Sequence, residues 1–487
     1  MNTIFLFLWL ALGGVFRFFD FGKWNIPIAA WLSPVFLLHF SHQNNPLVGI
    51  SIIWIVVFLA AYFPYMGVIP VPGIGFPLVI AAYSTVWTLP YLFDHLLFAS
   101  MPGFLSTIIF PLTWVVVEYI NSKFNPFGTW GSVAYTQYGN HSLVQIASIT
   151  GIWGITFLVT WFGSTLNWVW ENQVNWEVVQ GGVFTYGLIL ITVLIFGGMR
   201  LALAHSTKTV CVAAIGWPDE LVDRNKVMQI FGTELSSEIR QEFRQTSKKL
   251  QDYFLEKIEL EADSGAKIVM WPEANVMILK EDEPTFLESA KRVAIKQQVY
   301  LLMGVATVQL EANKPLENKA ILMNPRGEIV SSYTKTRLVP GFEVMKGVSG
   351  DGKIRTYDSQ YGRIASAICF DMDFPNLIRQ AGRANVDFML IPASDWEPIK
   401  YLHHNQAVFR AIENGASMVR AARWGISAAV DAYGHTLAVM DSFLADNKTM
   451  SVQLPVTGVR TIYSRIGDLF AWLCMAGLAG SITWAIS

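Results

Sequence analysis

The sequence of 487 residues is poor in charge and in cysteine. Asp, Glu, Lys and Arg make up 15% of it, whereas soluble domains average about 25%. The net charge is only −2, so no basic field predicts binding to nucleic acid. The three cysteines, Cys211, Cys369 and Cys474, lie far apart, which argues against a disulfide framework and against a Cys/His metal site. No glycine-rich nucleotide motif follows the first predicted strand of the polar region, so no nucleotide is expected.

The charges that are present are concentrated in the middle of the chain. Residues 1–200 carry nine of the 72 charged side chains, and residues 466–487 carry one. A bilayer core requires about 20 mostly apolar residues per helix. Apolar runs of about this kind lie near 2–18, 25–41, 47–65, 73–98, 102–121, 143–169, 181–203 and 467–486. The pattern predicts a membrane domain at 1–203 with about seven spans, a soluble domain at 209–460, and a C-terminal transmembrane helix at 467–486.

The loop charges do not settle the orientation of these spans. Arg17, Lys23, Lys123 and Arg200 all fall on the side of the soluble domain, and the positive-inside rule would place that side in the cytoplasm. Large domains, however, cross a membrane largely regardless of their charge. Arg17 and Lys23 could also reach towards lipid phosphates, so both orientations stay open.

Two features of the predicted membrane domain carry polar or aromatic character. Glu118 lies in the apolar run PLTWVVVEYI, where a carboxylate is costly and tends to face a cavity or a partner. The alternative is a position near the helix end, reaching the interface beside Lys123. In the loop that follows, Trp130, Tyr135 and Tyr138 fit an aromatic belt at the membrane surface.

Beyond Val210 the pattern changes to charged amphipathic helices and short apolar strands, which predicts an α/β domain with a mixed sheet. Three ionisable residues each follow such a strand: Glu273 after KIVMWP, Lys335 after IVSSYT and Cys369 after RIASAI. The ends of strands are common places for α/β active sites. A thiol, a carboxylate that accepts its proton and an ammonium that stabilises an oxyanion together predict acyl transfer.

The remaining cysteines and histidines have simpler interpretations. Cys211 falls within a strand pattern and Cys474 within the last apolar run, so both are expected to be packing residues. His403 and His404 open a predicted helix close to the candidate site. Helix capping or surface exposure is the expected role of these two histidines.

The segments WPEANV, YTKTRLVPGFE and CFDMDFP, in that order, resemble the three motifs of the nitrilase superfamily. The resemblance covers about residues 209–460 and implies an αββα sandwich with a Glu–Lys–Cys triad. The spans before and after this region resemble the apolipoprotein N-acyltransferase family within that superfamily. By position, the resemblance implies Glu273 as the general base, Lys335 as the stabiliser of the oxyanion and thiolate, and Cys369 as the nucleophile.

The resemblance also implies supporting residues around the triad. Glu343 matches a second carboxylate near the site, and Trp130 matches an aromatic residue of the membrane-facing loop. Glu118 and Asp371 are the other candidates for a supporting or substrate-binding role. The sequence departs from the family's usual pattern at Phe370-Asp371, at the shortened Ser394-Asp395-Trp396 and at Arg423-Trp424.

The activity that the resemblance implies is the transfer of a fatty acyl group from a phospholipid, through a thioester on Cys369, to the N-terminal amine of a diacylglyceryl lipoprotein. No metal or other cofactor is expected. The resemblance implies a monomer in the bacterial inner membrane, with an extracytoplasmic catalytic domain. A membrane-anchored amidase, in which water resolves the thioester, is the alternative that the departures favour. A membrane scaffold without activity is a third interpretation, which the intact triad disfavours.

Overall fold

The computed structural model describes residues 3–204, 208–218, 229–231, 236–446 and 448–487. The chain separates into two compact units. The first unit consists of Met1–Ala204 and Arg465–Ser487, and the second of His205–Ser464.

The first unit is helical. Its α-helices are Thr3–Phe19, Pro27–His42, Pro46–Tyr65, Gly75–Leu97, Ile109–Phe124, His141–Val144, Ala147–Thr150, Ile152–Glu171, Trp176–Ala202 and Leu469–Ile486. The short helix Ile462–Ile466 lies at the point in the chain where the second unit ends and this unit resumes. Local sequence accounts for several helix starts. The side chains of Asn45 and Asn175 accept hydrogen bonds from N–H groups in the first turn of their helices. Pro27 and Pro46 occupy the first helical turn, where the N–H group that proline lacks would have no partner within the helix.

All eight predicted apolar runs coincide with helices in the described part of the chain. Five helical segments there are long and apolar enough to cross a membrane: Pro46–Tyr65, Gly75–Ser100, Gly103–Phe124, Trp176–Ala202 and Leu469–Ile486. The helix that ends at Phe19 is apolar but shorter. That the other three runs also cross the membrane stays a prediction.

The helix ends of this unit gather into two groups. In one group, the His42 ring lies 2.7 Å from both the Asp94 and the Glu171 carboxylates, so three helices end together. In the other group, Asp468 accepts hydrogen bonds from Lys123 at 3.1 Å and from Trp153 at 2.9 Å. The helix Ile152–Glu171 therefore begins at the second group and ends at the first, whereas Ile109–Phe124 ends at the second, so these two helices run in opposite directions.

Arg17 does not reach towards lipid phosphates, and that interpretation is wrong. The residue lies inside the helix Thr3–Phe19 and is only 3% exposed. Its guanidinium donates a hydrogen bond to Asp20 at 2.9 Å and lies 4.3 Å from the centre of the Phe21 ring. A buried charge is retained where a partner neutralises it, which Asp20 does here.

The second unit is built on thirteen strands in its described residues. They are β1 Thr209–Ile215, β2 Ile268–Met270, β3 Val276–Leu279, β4 Tyr300–Val308, β5 Leu316–Met323, β6 Ile329–Thr334, β7 Thr356–Ser359, β8 Gly362–Ser366, β9 Phe388–Ser394, β10 Ser417–Arg423, β11 Ile426–Val430, β12 Thr436–Asp441 and β13 Thr449–Pro455. Its α-helices are Ser237–Asp263, Glu283–Gln297, Phe342–Lys346, Pro375–Arg383 and Lys400–Asn414.

These strands form two mixed sheets. The seven-stranded sheet has the order β13-β1-β2-β4-β5-β6 with β3 beside β4, and the six-stranded sheet has the order β12-β11-β10-β9-β8-β7. The central pairs β1–β2, β2–β4, β8–β9 and β9–β10 are parallel, and the outer pairs are mostly antiparallel hairpins.

The two sheets pack against each other and are covered by helices on their outer faces. Strand β1 lies against β10 and β4 lies against β9, and all nine residues of β4 are buried. The helices Ser237–Asp263 and Glu283–Gln297 cover the first sheet, and Lys400–Asn414 covers the second. The prediction of a multi-helix region followed along the chain by an αββα sandwich is confirmed.

Candidate active site

Glu273 and Lys335 meet beyond the carboxyl-terminal ends of strands β2 and β6 of the seven-stranded sheet. Glu273 lies three residues after β2, and Lys335 directly follows β6. The Lys335 ammonium donates a hydrogen bond to Glu273 Oε1 at 2.7 Å. Both residues are buried, with Lys335 fully inaccessible. An ammonium in such a place needs anionic partners, because a buried charge without them costs several kcal/mol.

Glu343 is the second anionic partner of Lys335. Its Oε1 accepts a hydrogen bond from the Lys335 ammonium at 2.8 Å, and its Oε2 accepts one from the Val339 N–H at 2.9 Å. Burial raises the pKa of Glu343, against the opposing effect of the Lys335 charge. Burial also lowers the pKa of Lys335, but Glu273 and Glu343 outweigh it and hold that pKa well above its usual range. Lys335 is therefore a fixed cation.

Asn318 of β5 contacts both Glu273 and Lys335, and sequence reasoning missed it. Its side-chain amide donates a hydrogen bond to Glu273 Oε1 at 2.7 Å, and its backbone carbonyl accepts one from the Lys335 N–H at 2.9 Å. The antiparallel pairing of β5 with β6 fixes this second contact. Nothing in the segment PLENKAILM distinguishes Asn318 from an ordinary polar strand residue.

Cys369 comes from the other sheet. It lies three residues after β8 and starts the short 3₁₀ helix Cys369–Asp373. Its φ is +48°, an uncommon conformation for a residue with a side chain and one that is often found at functional sites. The thiol is 3% exposed and donates to the Ser394 carbonyl at 3.4 Å.

The thiol is held in its protonated form at rest. Burial and the nearby Glu273 carboxylate raise the pKa of Cys369 well above its usual range, while the Lys335 charge lowers it. A thiol becomes an effective nucleophile only as the thiolate. The site therefore needs a base to remove the proton, and Glu273 is the carboxylate whose charge acts most strongly on the thiol.

Asp371 ties the 3₁₀ helix Cys369–Asp373 to the loop that carries Lys335. Both of its oxygens accept hydrogen bonds, four in all, from the Tyr333 hydroxyl at 2.8 Å and from the N–H groups of Thr336, Arg337 and Ile368 at 3.2, 2.7 and 3.1 Å. Burial raises the pKa of Asp371 to about 6, although its hydrogen bonds oppose this. A residue held in this way by the protein is suited to supporting the site rather than to binding substrate.

His403 and His404 are neither helix caps nor surface residues, and that prediction is wrong. His403 is 2% exposed and His404 4%. The His403 ring lies 2.7 Å from Asp395 and 3.0 Å from Asp373. Arg420 of β10 donates a hydrogen bond to the same Asp395 oxygen at 2.6 Å. Three charged partners were missed because they come from three separate segments.

One cluster in the described residues has donor atoms placed for a metal ion. The potential ligand atoms of Cys369, Asp395 and His403 lie within 4.8 Å of one another. The Arg420 guanidinium, however, contacts Asp395 at 2.6 Å and lies 3.2 Å from His403 Nδ1. A divalent cation would meet this positive charge at short range, so the donor set fits a network of charged side chains better than a metal.

Glu118 lies inside the first unit, and its placement at the interface beside Lys123 is wrong. It is 3% exposed, whereas Lys123 pairs with Asp468. Four donors reach its oxygens at 2.8 to 3.1 Å: Trp114 Nε1, the Ser132 and Thr156 hydroxyls, and the Val133 N–H. An ionised carboxylate accepts this many hydrogen bonds readily. Glu118 thus fastens the loop after its helix to the bundle.

The aromatic loop packs into the bundle rather than forming a belt. Trp130 is 8% exposed and its ring lies 5.3 Å from that of Phe127. Tyr135 is also buried, and its hydroxyl lies 2.7 Å from that of Thr129. Of the three predicted belt residues, only Tyr138 is partly exposed.

Two family models match the chain. The carbon-nitrogen hydrolase model matches residues 240–456, which contain Glu273, Lys335 and Cys369. The model of the apolipoprotein N-acyltransferase N-terminal domain matches residues 13–165, which contain Glu118 and Trp130.

Similar proteins extend along nearly the whole chain. An apolipoprotein N-acyltransferase of Geobacter metallireducens is 26% identical, and the alignment covers 97% of this chain and 94% of the relative. One from Haemophilus influenzae is 22% identical over 96% of this chain and 92% of the relative. Among solved structures, an amidase from Nesterenkonia sp. is 16% identical with a TM-score of 0.44, covering 56% of this chain and 98% of the amidase.

Proposed function

The chain belongs to the apolipoprotein N-acyltransferase family, and on this basis we propose that Glu273, Lys335 and Cys369 are the residues that perform its acyl transfer. It is a bacterial membrane enzyme of the nitrilase superfamily that acts on lipid and lipoprotein substrates. The observation that supports the assignment of residues is the fully buried Lys335, which contacts two carboxylates and whose charge acts on the Cys369 thiol.

In the first half-reaction, Glu273 removes the proton of the Cys369 thiol. The sulfur attacks the ester carbonyl carbon of a phospholipid, and the oxyanion that forms is stabilised by Lys335 and by a backbone N–H near Cys369. When the C–O bond breaks, Glu273 returns the proton to the leaving glycerol oxygen. The products are a thioester on Cys369 and a lysophospholipid.

In the second half-reaction, the N-terminal amine of a diacylglyceryl lipoprotein attacks the thioester carbonyl. Glu273 takes a proton from the amine, the C–S bond breaks, and the proton returns to the sulfur. The product is an amide, and the thiol is regenerated. Both substrates carry acyl chains, and each methylene moved from an apolar phase into water costs about 0.8 kcal/mol, so anchoring the enzyme in the membrane keeps it where its substrates are.

A membrane-anchored amidase would use the same residues, with water in place of the amine. The N-terminal domain match and the nearly full-length relatives favour transfer over hydrolysis. The two functions differ in the lifetime of the thioester. A transferase must protect the thioester from water until the amine arrives, whereas an amidase hydrolyses it at once.

Incubation of the enzyme with a phospholipid alone is therefore expected to leave an acyl group on Cys369. Intact-protein mass spectrometry would detect the added mass, and neutral hydroxylamine should remove it because thioesters are cleaved under these conditions. The Cys369→Ala variant is the control and should gain no mass. If no phospholipid produces an adduct, and lysophospholipid is nevertheless released steadily, hydrolysis is the better assignment.

We place the catalytic unit outside the cytoplasm, at the inner membrane, where diacylglyceryl lipoproteins present their amine. The helix Trp176–Ala202 has 27 residues, or about 40 Å at 1.5 Å per residue, which exceeds a bilayer core of about 30 Å. The helix is thus long enough to span the membrane, and in our proposal its two ends lie on opposite sides. Gln173, exposed just before this helix, belongs on the cytoplasmic side.

A membrane-impermeant thiol label tests this orientation in intact spheroplasts. In a background of Cys211→Ala and Cys474→Ala, a Lys249→Cys variant on the exposed face of the helix Ser237–Asp263 should react from outside. A Gln173→Cys variant should react only after lysis. The opposite pattern would place the catalytic unit in the cytoplasm.

A further inference from the structure

Four buried charged or ionisable side chains form a cluster next to Cys369. Asp373, Asp395, His403 and Arg420 are each 4% exposed or less. The potential ligand atoms of Asp395 and His403 lie within 4.8 Å of Cys369 Sγ. The acyl-transfer mechanism above uses none of these four residues.

His403 connects the two segments that position the thiol. Asp373 ends the 3₁₀ helix that Cys369 begins, and Asp395 directly follows Ser394, whose carbonyl accepts the thiol's hydrogen bond. The His403 ring lies between these carboxylates, 3.0 Å from Asp373 and 2.7 Å from Asp395. Loss of the ring would remove this contact from both the 3₁₀ helix Cys369–Asp373 and the end of β9.

The same contacts balance charge beside the thiol. Burial lowers the pKa of His403, but Asp373 and Asp395 outweigh it and raise the pKa to about 9. Arg420 supplies the second positive charge, with one N–H group on Asp395 at 2.6 Å and another on the Ile426 carbonyl at 2.8 Å.

The neighbouring His404 adds no charge to this balance. Burial and the Arg420 charge lower the pKa of His404 to about 3. The groups that face His403 are thus two carboxylates, one guanidinium, the thiol and a neutral imidazole. The cluster of four is neutral only while His403 is positive.

We propose that His403 is a positioning residue for the acyl transfer. Its charged ring holds the 3₁₀ helix Cys369–Asp373 against the end of β9 and keeps the cluster of four side chains next to Cys369 electrically neutral. This rests on the proposed function only in that Cys369 is the reacting group. Deletion of the ring's charge leaves one uncompensated carboxylate, and a negative charge close to a thiol disfavours the thiolate.

The test measures the rate of Cys369 alkylation by iodoacetamide as a function of pH, in the full chain with Cys211 and Cys474 replaced by alanine. His403→Gln keeps a polar side chain of similar size and removes the charge. The midpoint of its profile should move upwards by about one pH unit, which lowers the rate at pH 7 about tenfold. A role limited to packing would lower thermal stability without moving the midpoint.

Charge-restoring and matched variants separate the possible outcomes. His403→Gln combined with Asp373→Asn is neutral again, and its midpoint should return to that of the parent. Asp373→Asn alone should move the midpoint downwards, and it serves if His403→Gln does not fold. Glu413→Gln, which breaks the buried Arg410–Glu413 pair on the same helix, should leave the midpoint unchanged.

Two results would overturn the proposal. One is a midpoint that is unmoved in a folded His403→Gln protein, and the other is a shift that Asp373→Asn does not reverse. Neither depends on which acyl donor the enzyme uses. The proposed function fails on a different observation, namely acyl transfer without Cys369.

Discussion

Cys369→Ala is expected to abolish N-acylation of a diacylglyceryl lipopeptide, with a loss of at least about 10⁴-fold in turnover. The substitution removes the sulfur that would carry the acyl group, and no other described cysteine lies beside Glu273 and Lys335. The fold should survive, because alanine fits the same backbone and only Sγ is lost from a site where it makes one long hydrogen bond. Mass spectrometry of the lipopeptide, with solubilised enzyme and phospholipid vesicles, measures the product.

The other two cysteines provide matched controls. Cys211 lies within β1 and Cys474 is buried in the helix Leu469–Ile486. Cys211→Ala and Cys474→Ala should keep nearly full activity. Cys369→Ser should lose almost all of it, because an alcohol gives up its proton far less readily than a thiol and is the poorer nucleophile. Undiminished transfer by the Cys369→Ala protein would contradict the triad.

The helices could be predicted from the sequence because membrane spans are long and leave a clear signal. A run such as PLVGISIIWIVVFLAAYFPY contains no charged residue and matches the helix Pro46–Tyr65. The direction in which a buried polar side chain points left no such signal. From the sequence, Arg17 is interpreted as a residue that reaches lipid phosphates, and Glu118 leaves both an internal and an interfacial position open. In the structure both residues have partners within the bundle.

The candidate site divides in the same way. Glu273, Lys335 and Cys369 could be found because each follows an apolar strand in a recognisable motif. The surrounding network could not, because Asn318 and Arg420 lie on strands, Asp395 directly follows one, and the neighbours of these strands are set by the order of the sheets. His403 connects its helix to the end of β9 and to the 3₁₀ helix Cys369–Asp373. It lies 8 residues from Asp395 and 30 from Asp373 in sequence, and no local pattern predicts these contacts.

Lys335→Met is expected to lose both activity and stability, for separable reasons. The ammonium would stabilise the oxyanion, and removal of one such group costs about 10²- to 10³-fold in kcat. The same ammonium neutralises the buried Glu273 carboxylate at 2.7 Å and the partly exposed Glu343 carboxylate at 2.8 Å. Removal of one partner from a buried ion pair costs about 3–5 kcal/mol, so the apparent melting temperature should fall as well.

A second substitution separates these two losses. Lys335→Met combined with Glu343→Gln removes one of the two carboxylates left without a cation, so part of the stability should return while acyl transfer stays lost. Lys319→Met is the matched control, because Lys319 is also buried and forms an ion pair with Glu283. Lys319 lies on the opposite face of β5 from Asn318, since successive side chains of a strand point to opposite faces. It should lower stability and retain activity per folded molecule. If the double variant recovered activity together with stability, the role of Lys335 would be structural only. The oxyanion would then be stabilised by backbone N–H groups alone.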